Sequence, residues 1–226
     1  MIGIIGAMSE EVMAIKALMD NIEIKKINNL EFIVGTIDNK DVVLAKSGIG
    51  KTLSAMTTTV LVSNYPIKQV INVGSAGGLS PSLEVLDVIV SNRVAQADFD
   101  LTAFGYGRDF LEKRLSFQAD KDLVDKLLAL NLDKVIFGDI VSNDTFISKV
   151  EQRDALLSNF KSALCADMEA GSIAMVLDHF KIPFIVIRSI SDVVGSDKDN
   201  ALEFSEYLVH ASKNSAKITK ELIKVL

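Results

Sequence analysis

Three carboxylates in the sequence, Glu11, Glu169 and Asp192, have the type and setting that acid–base catalysis requires. Glu11 follows the apolar segment MIGIIGAM, Glu169 begins an apolar helical pattern, and Asp192 ends the apolar segment PFIVIRSISD. Where several carboxylates crowd into a cleft that excludes water, the pKa of one rises, so that one group becomes a proton donor while another acts as a base. The sequence therefore predicts general acid–base catalysis if the fold brings the three side chains together.

Each carboxylate also has a simpler structural interpretation. Glu11 would lie in the first turn of a helix, where the helix dipole stabilises a negative charge. Glu169 would cap the helix that it begins, and Asp192 would cap a helix or pair with Arg188. The catalytic hypothesis depends on all three lying at one edge of a sheet, beside the aromatic side chain of Phe146.

Short β-branched runs alternate with helical patterns along the chain, which is typical of one α/β domain around a mixed sheet. Strands are predicted at Ile2–Ile5, Asp41–Ala45, Gln69–Val73, Asp87–Val90, Val135–Val141 and Pro183–Ile190. Helices are predicted at Glu10–Met19, Thr52–Val62, Lys121–Leu130, Val150–Phe160, Glu169–Phe180 and Glu203–Val225. The segment EFIVGTIDNKDVVLAKS predicts a hairpin that turns at Asp38–Lys40. Because no linker or repeat interrupts the pattern, residues 1–226 are expected to form a single catalytic domain.

Ligands bind outside the carboxyl ends of the strands in such folds, so the site is expected among the polar residues that follow them. The turn GSAGGLS offers main-chain N–H groups and the Ser75 hydroxyl, and Gly77 and Gly78 allow a ligand close to the backbone. The segment AKSGIGKT nearly matches the phosphate-binding P-loop, but Ala45 stands where that motif needs its first glycine. We therefore favour a tight strand-to-helix turn there, with Lys51 in solvent, over an ATPase.

The composition excludes several classes of protein. A net charge of −6 without a lysine or arginine block is unfavourable for binding nucleic acid or an anionic membrane. No apolar stretch is long enough to span a bilayer, and the N-terminal segment lacks the basic start of a signal peptide. Cys165 is the only cysteine, expected in the core, and His179 and His210 are isolated, so no metal centre is expected. We expect a cytoplasmic protein.

Seven motifs in register resemble those of the bacterial 5′-methylthioadenosine/S-adenosylhomocysteine nucleosidases, which belong to the nucleoside phosphorylase superfamily. The motifs are IGIIGAMSEEV, KSGIGK, NVGSAGGL, LTAFGY, SNDTFI, ADMEA and RSISD, and the resemblance covers essentially the whole chain. It implies a nucleoside phosphorylase-like fold, a three-layer α/β/α domain with a central mixed sheet. It also implies a homodimeric hydrolase without metal or organic cofactor. Such an enzyme releases adenine from methylthioadenosine, adenosylhomocysteine and 5′-deoxyadenosine.

The resemblance implies a role for each residue of the site. Glu11 matches the glutamate that activates the attacking water, and Asp192 matches the acid that protonates adenine at N7, so that the base departs neutral. Glu169 matches the glutamate that accepts hydrogen bonds from the sugar hydroxyls. The remaining matches are Met168 beside the ribose; Phe146 and Ile147 around the adenine; Ser75, Gly77 and Arg188 near the ribose and the water; Met8, Ile49 and Phe204 around the 5′-alkylthio group; and Leu101 and Phe104, which reach the partner's site.

Three departures from the family pattern bear on these expectations. Ser9 replaces an acidic residue, although Glu11 is retained. Asn143 replaces a glycine in SNDTFI, and asparagine tolerates positive φ better than most residues. Gly107–Phe117 lacks the family's proline-containing loop, which bears on how the partner's lid closes and on selectivity for the 5′ group.

Other functions remain open at this point. The nearest alternative is a phosphorolytic enzyme of the same superfamily, which would need a basic phosphate pocket built from Lys46, Lys51 and Arg188. The acidic MSEE stretch argues against such a pocket. The sequence does not separate a nucleosidase that acts on aminodeoxyfutalosine. A non-catalytic nucleoside-binding protein would have no need for both Glu11 and Asp192.

Overall fold

The computed structural model describes residues 1–107, 113–196 and 199–226, in which ten strands form one mixed sheet. The strands are β1 (Ile2–Gly6), β2 (Asp20–Ile27), β3 (Leu30–Ile37), β4 (Lys40–Lys46), β5 (Gln69–Gly78), β6 (Val88–Gln96), β7 (Ser116–Gln118), β8 (Val135–Ser142), β9 (Ala163–Asp167) and β10 (Phe184–Val193). The helices include α1 (Ser9–Lys16), α2 (Lys51–Asn64), α3 (Lys121–Ala129), α4 (Val150–Asn159), α5 (Ala170–Phe180) and α6 (Asn200–Lys224), and a 3₁₀ helix spans Thr102–Phe104.

Five strands of the sheet close into a ring, and the others extend it. The ring runs β10–β6–β8–β9–β5, and β5 pairs with β10 to close it. From β5 the sheet continues through β1 and β4 to the outer hairpin of β3 and β2, while β7 pairs with β6. Because β1, β5 and β10 run parallel to one another, their carboxyl ends meet at one edge of the sheet.

Helices cover both faces of the sheet, which confirms the three-layer α/β/α fold. On one face, an apolar cluster contains Ile15 of α1, Leu123 of α3 and Leu222 of α6. On the other face, a second cluster contains Leu61 of α2 and Ile173 of α5. Strands covered on both faces are apolar at nearly every position. Accordingly, β1 is buried throughout and β10 is buried at every residue but its last.

Several local expectations need correction. β5 runs from Gln69 to Gly78, so GSAGG is the end of a strand and not a turn. β10 continues to Val193, so Asp192 lies within the strand and not after it. The strand β2 was missed; it is exposed at nearly every residue, and its isoleucines alternate with charged and polar side chains. The predicted hairpin is confirmed, and its turn residues Asp38 and Asn39 have φ of 47° and 61°.

The departures from the family pattern have different outcomes. Asn143 has no positive φ, so this position does not use the tolerance that asparagine has there. Its side-chain Nδ2 instead donates to the Thr145 carbonyl oxygen at 2.9 Å. Ser9 accepts a hydrogen bond from the Lys46 Nζ at 2.8 Å. The loop Gly107–Phe117 includes residues 108–112, which lie outside the described residues.

Candidate active site

The carboxyl ends of β1, β5, β9 and β10 surround one cavity. Of the predicted site residues, all but Arg188, Leu101 and Phe104 line it. The lining residues are Ala7, Met8, Glu11, Ile49, Ser75, Ala76, Gly77, Thr145, Phe146, Ile147, Ala166, Asp167, Met168, Glu169, Ser191, Asp192 and Phe204. The fold therefore brings together Glu11, Glu169 and Asp192, the condition on which the catalytic hypothesis depends.

Glu11 presents a carboxylate that four donors hold in place. It lies in the first turn of α1, and its Oε2 accepts from the main-chain N–H groups of Ala7 at 2.7 Å and Met8 at 3.0 Å. Its Oε1 accepts from Ser75, from the main-chain N–H at 3.0 Å and from the hydroxyl at 3.2 Å. All four contacts place a donor against one of the two carboxylate oxygens. A base at this position would be held in a fixed orientation.

Asp192 has a buried carboxyl near the end of β10. The strands β10 and β1 flank β5, so Asp192 and Glu11 lie on opposite sides of the end of β5. Asp192 has no exposed surface. Its Oδ1 accepts from the Ser191 hydroxyl at 2.8 Å and its Oδ2 from the Asn200 Nδ2 at 3.0 Å. Burial raises the pKa of this carboxyl, the hydrogen bonds from Ser191 and Asn200 lower it, and the nearby charge of Glu203 raises it; the net shift is upward. A raised pKa is what a proton donor requires near neutral pH.

The shape of β10 explains how an aspartate in a buried strand faces the cavity. The pairing of β10 with β5 shifts register between Ile190 and Asp192, and Asp192 then pairs with Gly77. A Cβ at Gly77 would lie 3.3 Å from the Asp192 Oδ2. A bulge of this kind changes the direction in which a side chain points. Gly77 therefore lies against the acid.

Glu169 is the third carboxylate, and it does not cap the helix that follows it. It occupies the N-cap position of α5 without a side-chain capping bond. Its Oε1 accepts instead from the main-chain N–H of Gly50 at 2.9 Å. Burial, and next the charge of Asp167, raise the pKa of Glu169 to about 7, against smaller lowering effects of Gly50 and Arg188. The structural interpretation as a helix cap is therefore wrong for Glu169.

Arg188 is buried beneath the site and pairs with Asp167, not with Asp192. Its Nε and Nη2 lie 2.9 Å and 2.7 Å from the Asp167 Oδ2. The Nη2 also donates to the Asn72 Oδ1 at 2.6 Å. Asp167 in turn accepts from the Ser142 hydroxyl and from the main-chain N–H groups of Glu169 and Ala170 at the start of α5. This network fixes the segment that carries Met168 and Glu169.

An apolar wall forms the open side of the cavity. The rings of Phe146 and Phe204 meet edge to face, with centroids 5.7 Å apart and planes at 70°. Phe146 keeps 38% of its surface exposed and Ile49 keeps 52%, whereas Ile147 is buried. Exposed aromatic and aliphatic surface next to a few polar groups is the usual lining of a small-molecule site.

The structure contradicts the P-loop interpretation of AKSGIGKT. The main-chain N–H groups of Gly50 and Lys51, which a P-loop would offer to phosphate, donate to Glu169 at 2.9 Å and to the Asp144 Oδ1 at 2.8 Å. Lys51 is not in solvent, because its ammonium pairs with Asp98 and its side chain is 17% exposed. The start of α2 therefore binds carboxylates of the protein itself.

Leu101 and Phe104 lie away from the cavity of their own chain. They belong to the segment after β6, at and within the 3₁₀ helix, and Phe104 is 79% exposed. A role at a partner's site stays a prediction. Leu53 and Met56 of α2 and Met175 of α5 also expose between 45% and 49% of their surface.

Several residues of the site were missed by the sequence analysis. Asp167 and Ser191 lie inside the motifs ADMEA and RSISD, so the motifs themselves contained the signal. Asn72, which bonds to Arg188, and Gly74, whose backbone lies against the Glu11 carboxylate, belong to β5, in a segment interpreted as apolar strand followed by a turn. Asn200 had no signal, because it lies before the start predicted for the last helix.

Other features of the described residues bear on metal and membrane binding. Across residues 1–107, 113–196 and 199–226, no group of three or more His, Cys, Asp or Glu side chains is placed to bind a metal ion. None of the helices in these ranges has the length and apolar composition needed to cross a bilayer. Cys165 is buried, and burial raises the pKa of its thiol, which confirms its expected place in the core.

Comparison with known proteins gives similarity over the full chain. Residues 1–224 match the sequence model of the phosphorylase superfamily. The chain is 40% identical over 230 residues to the 5′-methylthioadenosine/S-adenosylhomocysteine nucleosidase of Staphylococcus haemolyticus (strain JCSC1435), with 100% of both chains covered.

Solved structures share the same fold. A crystal structure described as a 5′-methylthioadenosine/S-adenosylhomocysteine nucleosidase from Borrelia burgdorferi B31, bound to adenine, has a TM-score of 0.92 at 38% identity and covers 100% of both chains. The futalosine hydrolase of Helicobacter pylori strain 26695 has a TM-score of 0.90 at 31% identity, covering 100% of this chain and 97% of that one.

Proposed function

Because the chain belongs to the 5′-methylthioadenosine/S-adenosylhomocysteine nucleosidase family of the phosphorylase superfamily, we propose that it hydrolyses the N-glycosidic bond of these two nucleosides. The products are adenine and 5-methylthioribose or S-ribosylhomocysteine, and 5′-deoxyadenosine is a further substrate. The observation that carries the proposal is the cavity that Glu11 and Asp192 share, the first held by four hydrogen-bond donors and the second buried with a raised pKa. We further propose that residues 1–226 act as one catalytic domain.

The acid in this mechanism is Asp192. Adenine is a poor leaving group as an anion, and protonation at N7 lets it depart neutral. Burial favours the protonated carboxyl before the reaction. As the proton leaves, the Ser191 hydroxyl and the Asn200 amide donate to the carboxylate that forms. Phe146 and Ile147 hold the adenine in this proposal, and the exposed ring of Phe146 supports a stacking contact.

Glu11 is the base that activates water on the other face of the sugar. Departure of adenine leaves a sugar with oxocarbenium character, as in the hydrolysis of glycosides. The Ser75 hydroxyl contact, at 3.2 Å the longest of the four to Glu11, is the one that a water or sugar hydroxyl can share. Arg188 acts near this water through Asp167 and Asn72, its hydrogen-bonding partners.

Glu169 and Met168 bind the ribose in the proposed complex. The Glu169 Oε1 is bonded to Gly50, so Oε2 is the atom proposed to accept from the sugar hydroxyls. A carboxylate at this place also favours the positive charge that develops on the sugar. Met8, Ile49 and Phe204 line the apolar end of the cavity, where they would surround the 5′-alkylthio group.

The contacts made by Lys46, Lys51 and Arg188 favour hydrolysis over phosphorolysis. The three cations that a phosphate pocket would need are all engaged within the protein. Lys46 donates to Ser9, Lys51 pairs with Asp98, and Arg188 pairs with Asp167. Four acidic side chains line the cavity instead, those of Glu11, Asp167, Glu169 and Asp192, and the ionised ones among them would repel a phosphate dianion.

Aminodeoxyfutalosine is a second candidate substrate, because a futalosine hydrolase shares the fold over the full chain. The two substrate classes differ in the group attached at the 5′ carbon. Met8, Ile49 and Phe204 at that end of the cavity are apolar, which favours an alkylthio group.

We also propose a homodimer located in the cytoplasm and acting in methionine salvage. Leu53, Met56, Met175 and Phe104 expose large apolar surfaces, and such surface marks sites of protein association. Leu101 and Phe104 would then close the partner's site. Light scattering with the parent and with a Met56→Glu variant tests the dimer, and a monomeric parent would contradict it.

The test of the activity follows free adenine from methylthioadenosine with phosphate removed and then restored. Adenine and methylthioribose without phosphate would support the hydrolase. Release only with phosphate, yielding a sugar 1-phosphate, would identify a phosphorylase and overturn the role of Glu11. Parallel assays with adenosylhomocysteine and aminodeoxyfutalosine rank the substrates by kcat/KM.

A further inference from the structure

The first turn of α6 reaches back to Asp192 through the side chain of Asn200. Asn200 is the first residue of this helix and is 6% exposed. Its Nδ2 donates to the Asp192 Oδ2 at 3.0 Å. Three residues on, the Glu203 Oε2 accepts from the main-chain N–H of Val193 at 3.1 Å. The same helical turn thus contacts both the side chain of Asp192 and the backbone directly after it.

Asn200 is not needed to cap α6. Asp199 performs that task, because its Oδ1 accepts from the main-chain N–H groups of Ala201 at 2.9 Å and Leu202 at 3.1 Å. The buried amide of Asn200 is directed to the carboxyl of Asp192 instead. A capping role therefore does not explain its placement.

The two oxygens of Asp192 have partners of different kinds. Oδ1 lies 2.8 Å from the Ser191 hydroxyl, which also lies 3.3 Å from the Ala76 carbonyl oxygen. A hydroxyl can donate to Ala76 while it accepts from a protonated Oδ1, and it can turn to donate to Oδ1 once the proton has left. The amide N–H of Asn200 only donates, so in this orientation Oδ2 is an acceptor in both states. The proton of the neutral acid therefore lies on Oδ1.

We propose that Asn200 is a positioning residue for the general acid: it holds Oδ2 and so fixes the direction in which Oδ1 delivers the proton to the leaving base. This inference rests on the proposed function. As the proton leaves, the hydrogen bond to Oδ2 becomes charge-assisted and stabilises the carboxylate that forms. This stabilisation accelerates the step that expels the base and leaves substrate binding unchanged.

Phe204 connects the helical turn that carries Asn200 with the proposed substrate site. Phe204 lies on the same helical turn as Asn200, lines the cavity and contacts Phe146. One turn of α6 therefore supports the acid and forms part of the wall of the site.

The experiment compares two leaving groups in Asn200→Leu, which keeps the shape of the side chain and removes the donor. The substrates are methylthioadenosine and a 5-methylthioribosyl compound whose 4-nitrophenolate leaving group departs without a proton. We expect kcat for methylthioadenosine to fall about tenfold to a hundredfold, with KM within about twofold of the parent. Turnover of the nitrophenyl compound is expected to stay at the parental rate.

Controls separate this inference from a loss of folding and from a failure of the proposed function. Asn200→Ala is measured in parallel because it adds no atoms, and Leu202→Ala, on an exposed residue of the same turn, should retain both activities. An equal loss with both substrates, or no loss with either, in a folded Asn200 variant would overturn the positioning role. A parent protein that releases no adenine would instead overturn the proposed function.

Discussion

The backbone of Gly74 lies directly against the carboxylate of Glu11. A Cβ built on Gly74 would lie 2.7 Å from the Glu11 Oε1 and 3.0 Å from its Cδ. The residue that follows, Ser75, donates its main-chain N–H to the same oxygen at 3.0 Å. The position of the proposed base therefore depends both on the donors that hold it and on the absence of a side chain in β5.

Gly74→Ala is expected to displace Glu11 and reduce kcat by about a hundredfold, because a small misplacement of a catalytic group has a large effect on rate. The backbone at Gly74 has no positive φ, so the substitution adds no backbone strain. Adenine release under saturating methylthioadenosine measures the effect. Gly107→Ala, whose Cβ would meet no atom of the described residues within 4 Å, is the matched control. Parental kcat in Gly74→Ala would show that this contact does not position Glu11.

Glu11→Gln is expected to abolish turnover and to leave the affinity for an adenine nucleoside largely intact. The amide keeps the size of the carboxylate and still accepts through one oxygen, but it cannot take a proton from water. Loss of a general base reduces rates by about 10²- to 10⁴-fold. Calorimetric titration gives the affinity and adenine release gives the rate. Glu10→Gln, the adjacent carboxylate of α1, controls for the loss of charge, and turnover of Glu11→Gln at the parental rate would remove Glu11 from the mechanism.

Asp167→Asn is expected to destabilise the protein by about 3–5 kcal/mol, because it leaves the buried Arg188 guanidinium without its charged partner. The amide would also place a donor where Asp167 accepts from Ser142 and from the start of α5. Urea unfolding measures the loss. Glu31→Ala breaks the exposed pair of Glu31 with Lys26, 3.3 Å apart, and should cost less than about 1 kcal/mol. Similar losses in both variants would contradict a special role for the buried pair.

Sequence reasoning found the three carboxylates that share the cavity because they interrupt or follow apolar strands. A strand covered on both faces is apolar throughout, so a charge near its carboxyl end is conspicuous, as Asp192 is in PFIVIRSISD. Glu11 was placed correctly for the same reason, one turn after the buried strand β1. The resemblance to a known family then supplied the roles.

Contacts that depend on the register between distant strands could not be predicted. Arg188 bonds to Asn72, which precedes it by 116 residues, because β10 pairs in parallel with β5. Gly74 matters only because that pairing and the turn of α1 bring Glu11 against it. Asn200 contacts Asp192 through the fold of the segment after β10, for which periodicity offers no signal. The strand content of GSAGG was missed because glycine is depleted in strands.

Glu169→Gln is expected to change how stability depends on pH. The pKa of Glu169 in the folded protein is about 7, above its usual value of 4.5, so between these pH values the folded protein keeps a proton that the unfolded chain has lost. The stability from this group is fully present below about pH 4.5 and is lost as the pH rises through about 7. From pH 5 to pH 8 the parent should lose about 2–3 kcal/mol relative to the variant, which has no proton to lose at this position.

Urea unfolding of the parent and of Glu169→Gln at pH 5 and pH 8 measures this difference. Glu31→Gln, on the exposed surface of β3, controls for the loss of a carboxylate as such. The amide of the variant can still accept from the Gly50 N–H, so the loop before α2 should keep its anchor. An identical pH dependence in the parent and in Glu169→Gln would mean that Glu169 ionises in the fold as readily as in the unfolded chain. The Glu169 carboxylate, which is proposed to accept from the sugar hydroxyls, would then ionise without the cost in free energy that its burial implies.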